Sequence, residues 1–147
     1  MTRSIKINGD DSSILSVSLT DILNCLEDGE KIEWGMLWLE AVGELDGERS
    51  IVDLEQEINK SEKATMMTWK ELIELSSQII QGINLLIIGD RLRVKIKKYL
   101  TDKEMYSGCD YTIELIDSSY WIIHSKNETF LENVFKELKG VEYINPL

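Results

Sequence analysis

Carboxylates are the one chemically capable group this chain carries in quantity: 27 Asp and Glu stand against 16 Lys and Arg, one histidine and two cysteines. Paired Asp or Glu side chains can divide general acid and general base work between them. With 27 candidates and no distances, no pair is singled out. The lone His124 makes any His-based triad hang on one residue, and it ends a strand-like run where a structural role is the simpler reading. Cys25 and Cys109 belong to no paired motif with zinc spacing and make no disulfide framework, so both read as structural thiols. There is no glycine-rich phosphate loop and no Gly-x-Ser-x-Gly elbow. Asp46-Gly47-Glu48 matches a fragment of a calcium loop, without the further oxygen ligands that such a loop needs. The residues call for no metal, no cofactor and no enzymatic reaction.

What the carboxylates do show is uneven placement. Asp21 to Glu57 holds twelve acidic residues and two cations, Lys31 and Arg49, a net charge of −10 within a chain total of −11. Such a chain repels nucleic acid and anionic membrane and attracts basic partners. One reading makes the carboxylates a solubilising rim around core residues Trp34 and Trp38. The other makes them a docking face for a basic protein, with aromatic surface as anchor. Under that second reading the contact residues are Glu27, Asp28, Glu30, Glu33, Glu44, Asp46 and Glu48. Glu27, Asp28 and Glu30 would sit at the C-terminal end of a helix, where the macrodipole disfavours anions, so their placement carries a small cost. A cationic nuclease is the obvious partner, since an acidic protein could cover its phosphate-binding cleft and exclude substrate.

The elements that must hold these residues can be read from periodicity and caps. Ser4 to Asn8 suggests a strand, followed by a turn at Gly9-Asp10-Asp11. Ile14 and Leu15 lead to Ser18, which caps a helix through Leu19, Ile22, Leu23 and Leu26 that stops at Asp28-Gly29. Ile32 to Leu45 reads as a long central strand. Strict alternation puts Ile32, Trp34, Met36 and Trp38 on one face and Leu37, Leu39 and Ala41 on the other. Ser50 caps a helix carrying Ile51, Leu54 and Ile58, with Asp53, Glu55 and Glu57 outward. Thr68-Trp69-Lys70-Glu71 is a capping box, and the helix it opens should stop at Gly82. Ile83 to Ile88 fits strand or buried helix equally. Arg91 to Lys98 alternates with period two, which predicts a strand with Arg91, Arg93, Lys95 and Lys97 on one face and Leu92, Val94 and Ile96 on the other. Tyr111–Ile116 and Tyr120–His124 flank Asp117-Ser118-Ser119 as a hairpin, and Asn127 caps a last helix before a short strand at Val141–Ile144.

A length of 147 residues with 43% hydrophobic content predicts one soluble α+β domain spanning 1–147, a mostly antiparallel sheet packed against three to four helices. No apolar run approaches the roughly 20 residues of a membrane span, and the first residues have no apolar signal region, which predicts a cytoplasmic protein. The basic run at Arg91–Lys98 could track phosphate, but the acidity of the rest favours pairing with neighbouring Glu, so no direct nucleic-acid contact is expected. An apolar strand edge leaves a homodimer open.

Met67-Thr68-Trp69-Lys70-Glu71-Leu72, and the Tyr120-Trp121-Ile122-Ile123 strand followed by the Phe130/Phe135 helix, resemble small Bacillus-type immunity proteins that accompany toxins of the LXG polymorphic class. The resemblance implies an antitoxin that neutralises a cognate toxin, commonly a nuclease, in the producing cell. It carries over no functional residue. The alternative is a regulatory or scaffold domain that binds a non-toxin partner or a small ligand.

Overall fold

Among the described residues seven strands make one sheet. The computed structural model describes residues 2–9, 15–47 and 49–145, so the expected turn residues Asp10 and Asp11, the lead-in Ile14 and the candidate contact Glu48 lie outside the described residues. The strands are β1 (Arg3–Ile7), β2 (Glu33–Gly43), β3 (Thr65–Met67), β4 (Ile79–Asp90), β5 (Tyr111–Ile116), β6 (Tyr120–Ser125) and β7 (Val141–Ile144). They run in the order β3-β2-β4-β5-β6-β1-β7, with every neighbouring pair antiparallel. Among the described residues five α-helices accompany them: α1 (Leu19–Leu23), α2 (Ile51–Lys60), α3 (Trp69–Gln78), α4 (Asp102–Gly108) and α5 (Glu128–Glu137). The α+β class is as expected, with one helix more. No helix among the described residues is long and apolar enough to cross a membrane.

Local chemistry explains most boundaries. Ser18, Ser50 and Thr68 each close a reciprocal capping box with Asp21, Asp53 and Glu71. Each box satisfies two backbone donors that a helix start would leave unpaired. Asn127 caps α5 through Phe130 N–H. Asp117 and Ser118 both adopt positive φ, the geometry that joins β5 to β6 in a tight hairpin.

Tertiary pairing overrides the local reading in three places. Helix α3 stops at Gln78 rather than Gly82, because Ile79 is drawn into register with Gly43 and the Gln78 carbonyl accepts Glu44 N–H. The ambiguous Ile83–Ile88 run is therefore strand. Within β2 a register shift between Met36 and Trp38 breaks the alternation. Trp34, Met36, Leu39 and Ala41 consequently share one face, Leu37 packs on the other, and Trp38 is 41% exposed. Finally, Arg91–Lys98 is not a strand. It is the first half of an excursion containing a 3₁₀ turn at Arg93–Lys95, and it leaves Leu92 and Val94 exposed rather than buried.

The two faces of the sheet are covered differently. Helices α1, α2, α3 and α5 bury the first, joining Ile22, Ile58, Leu72 and Phe130 to Trp34, Met36, Ile87, Ile113 and Ile123 in one continuous core. Edge β3 spans only Trp34 to Met36 of β2. Beyond it, Asn59 pairs with both the N–H and the carbonyl of Leu39, and Glu55 accepts Ala41 N–H, so α2 side chains close an edge that would otherwise offer free strand donors. Glu55 is thus turned inward, not outward.

The excursion from Arg91 to Cys109 packs Ile96, Met105, Tyr106 and Cys109 onto Leu37 and Ile88 of the second face. Buried Asp90 clasps its two ends, accepting Leu92 N–H at 2.8 Å and Asp110 N–H at 3.0 Å. Lys98 donates to the Ile58 and Ser61 carbonyls at the C-terminus of α2, where a cation also complements the helix dipole. Gly35 permits the approach, since a Cβ there would occupy the space of the Ile96 side chain.

Candidate partner-binding surfaces

The acidic segment is divided by the strand that runs through it. Glu27 and Asp28 follow α1, Glu30 lies in a 3₁₀ turn at Gly29–Lys31, and Glu33 begins β2; the first three are exposed and Glu33 is half-buried. Glu44 and Asp46 are exposed at the other end of β2. The two groups lie at opposite ends of this eleven-residue strand, which at about 3.3 Å per residue spans on the order of 30 Å. Asp28, Glu30 and Glu33 therefore form one acidic rim with Glu27 at its margin, and Glu44 and Asp46 belong to a second.

The first rim borders a cleft of about 340 Å³ in which Glu30, Glu33 and Glu71 meet Trp69, Met66 and Arg93. Glu27 turns the other way, to a depression shared with Asp21 and Glu137. Those two carboxylates, after burial itself, help push the Cys25 thiol up to about 11, which keeps it a neutral, unreactive packing group. Asp28 pairs with Lys31 at 3.8 Å, both exposed, a contact worth little in water. At the second rim Asp46 accepts from the Gln78 amide at 3.0 Å. Among the described residues the one other ion pair joins Arg49 to Glu57. Most carboxylates of both rims are therefore left without a cation.

The second face adds a surface that sequence reasoning missed. One row of cross-strand partners runs Ser4, His124, Thr112, Ile88, Gly35 and Met66, and the excursion and its neighbours cover most of it. Tyr106 stacks on His124 with ring centroids 3.8 Å apart, and the Ser4 hydroxyl lies 2.6 Å from His124 Nδ1. Burial lowers the imidazole pKa to about 4, so it is neutral at physiological pH. Thr112 Oγ1 is buried without a hydrogen-bond partner among the described residues. This is a covered structural row, in keeping with the simpler reading of His124.

The next row runs Trp38, Leu86, Glu114, Ile122, Lys6 and Glu142, beyond the excursion's edge. Here a cavity of about 420 Å³ opens between the sheet and the start of α4. Trp38 and Tyr99 line it, Leu86 and Met105 give it an apolar floor, and Glu114 and Asp102 bring two carboxylates to it. The Trp38 indole N–H donates to Glu40 at 2.7 Å, which fixes the ring although it is exposed. Glu114 accepts from the Tyr106 hydroxyl at 3.3 Å. Burial raises its pKa above the usual carboxylate range; the Tyr106 bond opposes that rise and Asp102 adds to it. The sequence signal was a lone Glu in the apolar run Tyr111-Thr112-Ile113-Glu114-Leu115-Ile116. No group of three or more metal-ligating side chains occurs among the described residues.

Comparison with protein-family models, with curated proteins and with solved structures finds no match for this chain.

Proposed function

We propose that this protein is an immunity protein that neutralises a cognate toxin, a basic nuclease-type domain, by stoichiometric binding through its acidic surface. The observation that carries the reading is the uncompensated rim: two ion pairs among the described residues, in a chain of net charge −11. Exposed carboxylates at Glu27, Asp28, Glu30, Glu44 and Asp46 project a field that draws a cationic partner in before contact and raises the association rate. Two rims about one strand-length apart suit a partner broad enough to span both, and its covered cleft would be closed to substrate.

The test is co-expression followed by kinetics. A basic protein captured from lysate and eluted by salt should poison cells alone and be harmless with this chain. Reversing Glu27, Glu30, Glu44 and Asp46 together to Lys should then slow association by roughly tenfold or more at low salt, with circular dichroism unchanged. An association rate indifferent to that reversal would remove the rims from the interface.

A second reading has its own observation. The cavity beside Trp38, at about 420 Å³, falls within the usual range of small-ligand sites, which favours a regulatory domain with a small ligand. That reading expects any captured partner to be harmless when expressed alone.

A further inference from the structure

The cavity beside Trp38 has a chemistry of its own, distinct from the charge of the rims. Its walls are aromatic, its floor is apolar, and its polar groups include two carboxylates, Glu114 and Asp102. Neither carboxylate lies within ion-pair distance of a cation among the described residues. The cation on the lining, Lys98, is turned away, its ammonium held by the Ile58 and Ser61 carbonyls. Asn84, also on the lining, spends its carbonyl on Asp117 N–H. Trp38 is held ready rather than packed away, exposed yet fixed by its bond to Glu40.

We propose that this cavity receives the guanidinium group of an arginine side chain on a protein partner. The proposal rests on the partner reading above and supplies the anchor that the rims alone do not. A guanidinium is planar and weakly hydrated, so it stacks on an indole face while its fork of N–H donors reaches a carboxylate. Trp38 is the stacking surface, Glu114 the fork's acceptor, and Leu86 and Met105 the bed for the methylene stem. An ammonium would gain the charge but not the stacking or the fork, and an anion would meet two carboxylates. Burial of Glu114 without a cation costs the free protein stability, and an incoming guanidinium offsets that cost.

The experiment follows the Trp38 indole N–H resonance in the ¹⁵N-labelled full chain, assigned by its loss in Trp38→Phe. The probes are a blocked glycine-flanked arginine peptide, the same peptide with citrulline, and agmatine. A saturable shift with the arginine peptide is expected, at least ~tenfold weaker with citrulline, which keeps the shape but loses the charge. Glu114→Gln should weaken the arginine peptide to a similar degree while raising the thermal midpoint at pH 7, which shows that it folds. No saturable shift, equal response to citrulline, or indifference to Glu114→Gln would overturn the proposal. Tighter binding of agmatine than of the peptide would overturn the protein source and assign the cavity to a small guanidine. Charge reversal at Glu44 and Asp46, far along β2, should leave this titration unchanged, so failure of the rims and failure of the cavity read out separately.

Discussion

The two faces of the sheet are built from the same strands by opposite means. On the first, four helices present apolar stripes and the core is continuous. On the second, one excursion clasped by a single carboxylate covers a row that includes a serine, a histidine and a threonine, and the remainder is open. The contrast separates a face that the helices seal from one that the fold leaves partly uncovered. The first face holds the fold; the second leaves Trp38 exposed at a cavity that half-buried Glu114 also lines.

The comparison is most sharply tested on the tryptophans of β2. Trp34 is fully buried, donates to the Gly29 carbonyl at 2.9 Å, and packs on Trp69 and Tyr111. Trp34→Ala should cost about 3–5 kcal/mol in denaturant unfolding, whereas Trp38→Ala should cost less than about 1 kcal/mol. Comparable losses would mean that the second face is structural after all.

Asp90→Ala should cost about 2–4 kcal/mol, because it strands two backbone donors at the ends of the excursion. Amide exchange should accelerate across residues 91–109 while first-face strands stay protected. Uniform acceleration would show that the excursion and the main core unfold as one unit.

Acid should act on the second face through His124. Its folded pKa lies near 4 and its ordinary value is 6.5, so below 6.5 the unfolded chain binds a proton that the folded chain refuses. Stability is therefore full above pH 6.5 and falls as pH drops towards 4, by up to about 3 kcal/mol. Tyr106, Ser4 and Asp102 are the groups around the ring, and Asp102 moderates the effect. Glu114 works in the opposite sense, because its raised pKa makes the folded state gain a proton first. The difference between wild type and His124→Asn isolates the histidine, and equal slopes for the two would remove it as the cause.

Much of the fold was legible because its signals are local. Capping boxes at Ser18, Ser50 and Thr68 and the hairpin turn at Asp117–Ser119 depend on residues three or four apart. Helix α4 was legible too, though overlooked: Thr101 and Glu104 repeat the spacing of Thr68 and Glu71, and Thr101 caps Glu104 N–H. The three residues of β3 offer too short a run for periodicity to register. Arg91–Lys98 alternates as a strand would, but no neighbouring strand pairs with it, so the period-two pattern sets no strand there.

The amino-acid sequence by itself determined the α+β class, the helix starts, the hairpin and the concentration of negative charge between Asp21 and Glu57. Only the tertiary structure decided where that charge stands. It divided the segment into two rims by running β2 through it, displaced Trp38 with a register shift against β4, and brought Glu114, Asp102 and Tyr99 to the same cavity. The physical reason is range. Caps and turns are settled by hydrogen bonds within a few residues, whereas a bulge, an edge closed by Asn59 and a cavity wall exist only once distant strands have paired.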